Sequence, residues 1–483
     1  MKQRVTWLVV ILILAGGTVF AQVKPHVNVL TELRTENAQL RDRVDMLEKA
    51  LTDIRATLSA KTSETPASTV VPAAVPAEKQ AVAKDAKKDE KPSIKGKYPV
   101  ELYGYVKLDM STDDSRTQLG NDARWVPSEA TYANHREYNM TANPSRFGLR
   151  FKGPEEGKAR VSGNLEFDLY GSSSLGSNGG AFESSAAPRV RHAFVQVDWP
   201  EDDWSLLAGQ TWDLIGPLNP SMLDYTVAWW AGNIGYRHPQ LRFTKGFEAG
   251  KDSKVTVQVA ATRTNGDKNV LEQTDTGAAA GSPSVQGRIS YSFPTYKDKK
   301  GVKGVIGLWG HSGKEEYAYA ANGDSVTLDS NSAGMDLSLP LSKVFKLQGE
   351  LWRGKNLDDY MGGIAQGINV MSASATGGVV NATTFTGKFI GAKSISSRGG
   401  WFELGFGPFD RWQFNLGASV DNPDDDQLPN LARTSNQAKW LNVIYDLNSA
   451  VQIGLEYVQL HTDYKNAHDG DDGRLQSSFI YKF

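Results

Sequence analysis

The feature that most constrains this chain is a long series of short segments in which apolar and polar residues alternate. Sixteen such segments follow one another from Val100 onward, and the turns between them are alternately tight and long. In the first segment the apolar set is Val100, Leu102, Val106, Leu108 and Met110, and the polar set is Glu101, Tyr103, Tyr105, Lys107 and Asp109. This period of two predicts strands with one apolar and one polar face. Sixteen such strands in series predict an all-β transmembrane barrel of antiparallel strands.

The two ends of the barrel are expected to differ in the length of their connections. Tight turns such as 153–157 and 407–410 are predicted to face the periplasm, and long connections such as 213–235, 312–330, 354–397, 421–437 and 461–473 to face outside. The segment from Val190 to Trp199 breaks the alternation. With Arg191 facing the lumen, Val195 and Val197 would face it as well, so we predict a β-bulge there.

Both ends of the chain carry signals of export. The chain ends in a strand with Leu475, Phe479, Tyr481 and Phe483 on one face, a pattern typical of the last strand of an outer-membrane barrel. At the start, Lys2 and Arg4 precede an apolar run that is shorter than the ~18 residues of a transmembrane anchor. We therefore predict a signal peptide at residues 1–21. Because no comparable run occurs later, the mature chain would cross a membrane only with strands.

Heptads in residues 22–60 predict a periplasmic α-helical coiled coil. Leu30, Asn37, Val44, Leu51 and Leu58 occupy the first core position, and Leu33, Leu40, Leu47 and Ile54 the second. Charges at the flanking positions match across parallel helices, and Arg43 and Glu48 belong to a pattern that resembles short trimeric coiled coils. Asn37 at a core position is common in dimers, so two strands remain the alternative. We predict a homotrimer.

Residues 61–98 form a predicted Ala/Pro/Lys-rich linker that cannot bury a core. Its lysines would touch peptidoglycan or simply keep the segment solvated. The remaining residues, 99–483, are predicted to form the barrel, and they carry 37 basic and 44 acidic side chains, a net charge of −7. This balance excludes a nucleic-acid partner.

The order of these regions resembles the DcaP-like family of trimeric porins. The motifs that carry the resemblance are E-L-Y-G-Y-V-K-L-D at 101–109, S-R-F-G-L-R-F-K-G-P at 145–154 and A-G-Q-T-W-D at 208–213. The resemblance covers nearly all of the mature chain. It implies a homotrimer in outer-membrane lipid, with the coiled coil in the periplasm, that admits small hydrophilic and often anionic solutes such as dicarboxylates.

The inward face of the predicted strands supplies the candidate pore residues. Charged side chains at inward positions are Lys107, Arg146, Arg150, Lys152, Glu166, Asp168, Arg191, Arg237, Arg242, Arg288 and Glu350. Arg146, Arg150 and Lys152 share one strand face and would form a basic ladder that favours anions. The alternative is that the arginines pair with Glu166, Asp168 and Glu350 across the lumen. The third long loop is the expected constriction, with candidate residues Trp212, Asp213, Asp224, Tyr225, Trp229 and Trp230.

The sequence gives little support for catalysis or for a bound cofactor. Its seven histidines form no pair with the spacing of a zinc site. We therefore predict no enzyme, no cofactor and no metal, although clustered carboxylates at Asp424–Asp426 and at 469–472 keep a calcium site open as an alternative. A second candidate function is a structural tether between the outer membrane and the cell wall, with the barrel as its anchor. Sixteen strands are too wide for side chains to fill the lumen, which favours a channel.

Overall fold

The computed structural model describes residues 93–94, 98–118, 120–129, 135–171, 186–263, 280–296, 302–319, 324–372, 375–379 and 389–483. The predicted signal peptide and coiled coil, and nearly all of the predicted linker, lie outside these residues. No helix in the described part of the chain has the length and apolar character needed to cross a membrane.

Within the described residues, sixteen strands follow one another as antiparallel neighbours. They are β1 (Val100–Asp113), β2 (Glu137–Thr141 and Arg146–Glu156), β3 (Ala159–Gly171), β4 (Ala187–Trp199), β5 (Trp204–Trp212), β6 (Arg237–Glu248), β7 (Lys254–Thr262), β8 (Ser284–Pro294), β9 (Lys303–Tyr319), β10 (Asp324–Pro340), β11 (Phe345–Lys355), β12 (Ser396–Phe409), β13 (Trp412–Pro423), β14 (Arg433–Asp446), β15 (Val451–Tyr464) and β16 (Gly470–Lys482). A two-residue strand, Ser93–Ile94, also pairs with β1.

The sheet closes on itself because the last strand pairs with the first. Register runs from Tyr105 opposite Lys482 to Asp113 opposite Arg474. Phe483 extends this seam, since its backbone N–H donates to the carbonyl of Gly104 and its carbonyl accepts from the N–H of Gly104, both at 3.1 Å. A side chain at Gly104 would lie 2.2 Å from the carbonyl oxygen of Arg146, so only glycine fits this close approach. The predicted closed barrel of sixteen strands is therefore confirmed.

The alternation of apolar and polar residues maps onto the two faces of the barrel. On β1, Leu102 and Val106 are 43% and 47% exposed on the outer face, whereas Lys107 and Asp109 are buried on the inner face. The same arrangement, with apolar side chains exposed and polar ones buried, recurs around the sheet. Exposed apolar residues on the outer face include Phe147, Leu241, Ile289, Leu351, Phe402 and Leu455. An outer apolar face and an inner polar face are typical of barrels that sit in lipid.

The β-bulge predicted in β4 is present. Glu166 of β3 pairs with His192 while the next residue, Phe167, pairs with Val190, so Arg191 is the extra residue. The bulge lets Arg191 turn inward, where it is 2% exposed, while Val195 stays on the outer face at 49% exposure. One extra residue in a strand moves all the following side chains to the opposite face, so the bulge accounts for the break in the alternation.

Three long connections predicted outside the barrel are shorter than expected. Most of 312–330 is strand, because β9 and β10 continue to Tyr319 and Asp324. The strands also take up residues 421–423 and 433–437 of the predicted connection 421–437, and residues 461–464 and 470–473 of the predicted connection 461–473. Past the apolar band both faces of a strand are polar, as at the cross-strand pair Lys314 and Asp329. The period of two then disappears from the sequence although the backbone pairing goes on.

The longest described connection, between β11 and β12, carries structure of its own. It holds two short 3₁₀ helices, Asp358–Tyr360 and Gly363–Ala365, and a separate sheet of three strands, Ile368–Ser372, Ala375–Val379 and Phe389–Ser394. A third 3₁₀ helix, Asp425–Gln427, follows β13. The part of the β11–β12 connection at 356–367 packs inside the barrel, next to the segment described below.

Candidate functional site

The connection 213–236 between β5 and β6, here called the inner loop, lies inside the barrel against its wall. Its backbone N–H groups donate to inward-facing side chains of successive strands. Leu214 donates to Gln286 on β8, Leu218 to Glu350 on β11, Ser221 to Glu403 on β12, and both Leu223 and Asp224 to Glu456 on β15, at 2.7 to 2.8 Å. The loop therefore crosses the lumen from β8 to β15 along a row of acceptors.

These acceptors hold the loop and do not face open water. Glu350, Glu403 and Glu456 are each 1–2% exposed. Two of them take a second bond from an indole, since Trp401 Nε1 donates to Glu350 at 3.3 Å and Trp440 Nε1 donates to Glu403 at 3.2 Å. Hydrogen bonds to a carboxylate are about twice as strong as those between neutral groups. The predicted pore residue Glu350 is thus placed beneath the inner loop.

The loop also accepts hydrogen bonds from the wall through its carbonyl groups. Trp352 Nε1 donates to the carbonyl of Gly232 at 2.7 Å, and Lys107 Nζ on β1 donates to the carbonyl of Leu223 at 2.6 Å. The contact with Lys107 brings the loop to the strand next to the barrel seam. Backbone groups at the loop tip are therefore satisfied within the barrel, as buried backbone requires.

The segment 356–367 packs against the inner loop from the other side. Trp230 donates its backbone N–H to the carbonyl of Met361, and Gly235 to the carbonyl of Tyr360, both at 2.8 Å. Tyr360 is fully buried, with its ring centroid 5.1 Å from that of His238 and 4.4 Å from that of His311. Ile364 of this segment donates its backbone N–H to Asp421 on β13 at 3.2 Å, so the two segments together cover the wall from β8 to β15.

A cavity of about 250 Å³ remains between the loop tip and the opposite wall. The loop contributes Ser221 to Tyr225, and the wall contributes residues of β1, β2, β14, β15 and β16. Its charged lining residues are Lys107, Arg146, Lys482 and Asp224. Arg474 lies 3.4 Å from the Asp224 carboxylate, and burial raises the pKa of Asp224 above its ordinary value while Arg474 opposes that rise. Lys107 lies 3.0 Å from Asp109, so the lining cations without an acidic partner in the described part of the chain are Arg146 and Lys482, and these two give the cavity a basic lining.

Each arginine of the predicted ladder lies over a tyrosine ring of the neighbouring strand. Arg146 lies opposite Tyr105 and its guanidinium carbon is 5.3 Å from that ring, while Arg150 is 3.7 Å from the ring of Tyr103. Arg150 also makes an ion pair with Glu101 at 3.6 Å and is 49% exposed. For Arg146 no carboxylate partner occurs among the described residues. Cation–π contacts hold both side chains without cancelling their charge.

Lys152 follows Arg146 and Arg150 on the same face of β2 and is exposed. Gly148, which lies between the two arginines, leaves space for the ring of Tyr103. A Cβ atom at residue 148 would lie 2.4 Å from Cζ of Tyr103, so the ring occupies the space that a side chain would fill. The three predicted ladder residues therefore share one face, as β2 alternation requires.

Arg191 belongs to a buried ion-pair cluster and does not extend the ladder. Its Nε lies 2.7 Å from Glu166 Oε1 and its Nη1 lies 3.1 Å from Asp168 Oδ2. Arg189 adds a second cation at 2.7 Å from Asp168, and Tyr225 of the inner loop donates its hydroxyl to the same carboxylate at 2.9 Å. The pairing of arginine with acid, stated above as the alternative, holds for Arg191.

The other three predicted arginines also have neighbours that keep them out of the ladder. Arg288 pairs with Asp336 at 2.6 Å, and Arg242 donates to Gln240 and to the carbonyl of Trp212. Arg237 is 2% exposed, and none of its guanidinium nitrogens has a hydrogen-bond partner in the described part of the chain. Aromatic rings enclose Arg237, with centroids at 4.5 Å for Trp212, 4.5 Å for Tyr236 and 5.8 Å for Trp229.

The predicted constriction residues also have different roles, and only some of them line the cavity. Asp224 and Tyr225 line the cavity. Asp213 accepts from His238 Nδ1 at 2.9 Å and so fixes the base of the loop. Trp229 and Trp230 pack with Trp125 and partly buried Trp212 in an aromatic cluster. Sequence reasoning missed Arg189, Glu403, Glu456 and Lys482, although all four stand at inward positions of alternating segments.

No protein-family model and no curated protein sequence matches this chain. Among solved structures, the outer-membrane channel DcaP of Acinetobacter baumannii matches with a TM-score of 0.58 at 20% identity, covering 81% of this chain and 99% of that one. An anion-selective porin from Comamonas acidovorans matches with a TM-score of 0.47 at 12% identity, covering 80% and 99%. The first match shows that this chain has the fold of the DcaP channel, as its sequence motifs led us to expect.

Proposed function

We propose that this chain is an outer-membrane porin through which small hydrophilic anions diffuse passively. The observation that carries the proposal is the cavity between the inner loop and the wall, with Lys107, Arg146 and Lys482 in its lining. A passive channel needs a polar path and a narrow region where charge selects the solute. The inner loop narrows the lumen, and the basic lining favours carboxylates over cations.

The outer-membrane location is supported by the surface of the barrel. Large apolar side chains are exposed on outer positions of the strands, which is unfavourable in water and favourable in lipid. A closed sheet leaves no unpaired strand edge, which is the condition for strands in a bilayer. The fold shared with a solved outer-membrane channel supports the same location.

Anion selectivity is supported by how the charges are distributed in space. The acids that face inward near the loop are bound to backbone N–H groups, to arginines or, in the case of Asp109, to Lys107, whereas Arg146 keeps its charge without an acidic partner among the described residues. Charge inside a narrow lumen is screened less than charge on outer loops. Small dicarboxylates, which offer two carboxylate groups to Arg146 and Lys482 on the two strands that flank Tyr105, are the preferred solute class.

Planar-bilayer recordings test this function directly. The purified full-length protein should give stepwise conductance, and its reversal potential in a potassium chloride gradient should have the sign of chloride preference. Addition of a dicarboxylate should reduce the chloride current through competition for the basic lining. A bilayer that stays closed would contradict the channel, and a reversal potential of the opposite sign would contradict anion preference.

We also propose that the porin is a homotrimer held by the coiled coil predicted in residues 22–60. Native mass spectrometry of the detergent-extracted protein should give three copies. Deletion of residues 28–60 should weaken this assembly while leaving the barrel folded, because barrel closure involves only residues from 100 onward. A dimer in the same measurement would contradict the trimer and favour the role of Asn37 as a dimer determinant.

A further inference from the structure

Two arginines stand directly opposite each other on the outer face of the barrel. Arg353 of β11 and Arg398 of β12 are a cross-strand pair, and both are exposed. Neither has an acidic partner or any other hydrogen-bond partner in the described residues. Like charges directly opposite each other on a sheet destabilise it. An anion that bridges the two guanidinium groups would turn this repulsion into attraction.

The arginine pair lies at one edge of the apolar outer band. Eight residues earlier on β11, and eight later on β12, Phe345 pairs with Phe406, with ring centroids 5.2 Å apart. Aromatic pairs of this kind mark an interface of the lipid, and the apolar band of a barrel is ~25 Å tall. Eight residues of tilted strand cover ~20 Å of that height. The arginine pair is thus placed where lipid head groups would meet the opposite end of the band.

An apolar hollow leads away from the arginine pair across the outer face. A hollow of about 780 Å³ is lined by Arg353, Arg398 and Asn422, together with Lys355, Asp424 and Asp425. The adjoining hollow of about 820 Å³ shares Arg398 and Asn422 with it. Apolar side chains predominate in the second hollow, namely Met335, Leu337, Leu347, Leu351, Phe402 and Val420. Gly349 and Gly400 lie among them, where side chains would otherwise fill the surface.

The charges around the two hollows favour an anionic occupant. Lys355 is paired with Asp329 at 3.2 Å, and Asp424 accepts hydrogen bonds from the Asp426 backbone and from Gln427. Lys439, which lines the apolar hollow, is exposed and has no acidic partner among the described residues. Arg353, Arg398 and Lys439 therefore remain as unpaired cations beside an apolar surface, and they outnumber Asp425, the lining acid whose carboxylate has no partner among the described residues.

From this geometry we infer that the outer face of β10 to β14 binds an anionic membrane lipid. The phosphate of its head group bridges Arg353 and Arg398, and an acyl chain lies in the apolar hollow. Guanidinium groups form paired hydrogen bonds with phosphate oxygens, and a zwitterionic lipid gains less because its own cation competes. This inference rests on the proposed membrane location and is independent of the proposed ion selectivity.

Native mass spectrometry with defined lipids tests the site. The folded full-length protein in detergent is offered dioleoyl phosphatidylglycerol or dioleoyl phosphatidylcholine at equal concentration. We expect the wild type to retain phosphatidylglycerol preferentially, and R353Q/R398Q to bind it about tenfold more weakly. The matched control is R411Q, because Arg411 is exposed and lies in the tight turn between β12 and β13, at the other end of the barrel.

Displacement measurements on the wild type distinguish the lipid from other occupants, and they do not depend on the folding of the double variant. On the wild type, dioleoyl phosphatidylglycerol should resist displacement by inorganic phosphate and by the dihexanoyl form, which has too short a chain for the hollow. Equal retention of both dioleoyl lipids, or full displacement by phosphate, would overturn the inference. So would a double variant that loses its oligomeric state with lipid binding unchanged, since the face would then join copies of the chain.

The conductance of the double variant separates this inference from the proposed function. Both arginines lie on the outer face, so R353Q/R398Q should keep the reversal potential of the wild type. If lipid preference is absent while anion preference is observed, the lipid site alone is overturned.

Discussion

The two sides of the barrel lumen use inward-facing charge for different purposes. The acidic wall, here defined as Glu350, Glu403 and Glu456, is covered by the inner loop and accepts hydrogen bonds from its backbone. The arginine wall, here defined as Arg146 and Arg150, lies over the rings of Tyr105 and Tyr103. Both walls have the same position in the alternating pattern, but of the two only the arginine wall is left uncovered by the inner loop.

This difference shows how a chain with excess acid can have a basic region in the lumen of its barrel. Residues 99–483 carry a net charge of −7, yet carboxylates of the acidic wall are 1–2% exposed. A carboxylate that accepts several N–H bonds from a covering loop is removed from the solvent by that loop. The field in the narrow part of the lumen therefore depends on which charges remain unpaired, and the net charge of the chain is a poor guide to it.

The largest effect is expected at the ion-pair cluster beside the arginine wall. Arg191→Met keeps the length of the side chain and removes the cation that contacts Glu166 and Asp168. Breaking a buried ion pair costs about 3–5 kcal/mol because a charge is left uncompensated. The folded fraction on heat-modifiable gels should fall at a clearly lower temperature than in the wild type.

Arg150→Met is the matched control for that prediction. Its ion pair with Glu101 is long, at 3.6 Å, and the side chain is 49% exposed. Exposed pairs contribute about 0–1 kcal/mol, so this variant should melt close to the wild type. Equal destabilisation by both variants would remove the distinction between a structural arginine and a pore arginine.

The second effect concerns the acidic wall. Glu456→Ala removes the acceptor of the Leu223 and Asp224 backbone N–H groups and of Asn442 Nδ2. Each orphaned buried donor costs about 1–3 kcal/mol, so roughly 3 kcal/mol or more is expected. Because these bonds hold the tip of the inner loop, single-channel conductance should also rise or become noisy. Unchanged conductance in a destabilised variant would show that the loop keeps its place without the acidic wall.

A smaller loss of stability is expected at Gly148, which lies between the two arginines of the arginine wall on β2. Gly148→Ala introduces a Cβ atom 2.4 Å from Cζ of Tyr103, so the ring has to move. Its hydroxyl would then lose its bonds to Asn164 and Glu166, both of 2.9 Å, at a cost of about 1 kcal/mol. Thermal melting measures this cost, with Gly287→Ala as a control, because a Cβ atom there would meet only the carbonyl oxygen of Gln258 at 3.8 Å. A wild-type melting temperature for Gly148→Ala would indicate that the ring has room to shift.

The fold could be predicted from the sequence because a barrel in lipid needs one apolar face on every strand. That requirement located all sixteen strands and the bulge at Arg191. It failed at the β9–β10 hairpin, where polar residues occupy both faces and pairing continues beyond the apolar band. The alternation shows which face of a strand meets lipid and which meets water. It does not show how far a strand continues beyond the lipid, where both faces meet water.

The candidate site was only partly predictable, since alternation gives the face of a residue and not its neighbour. Glu350 and Arg146 have equivalent inward positions, but a loop more than a hundred residues away in sequence covers the first and leaves the second open. Arg237 is surrounded by aromatic rings for the same reason. Glu403 and Lys482 were missed because the packing of the inner loop, which gives them their roles, has no local signal in the sequence.

The reversal potential of R146Q/R150Q in a potassium chloride gradient tests the central claim most directly. The wild type should prefer chloride, and the double variant should lose most of that preference, with Arg146 contributing more because it has no acidic partner among the described residues. R353Q, which removes an arginine from the outer face, should behave as the wild type does. A wild-type channel that prefers cations, or a chloride preference that survives in R146Q/R150Q, would contradict the account.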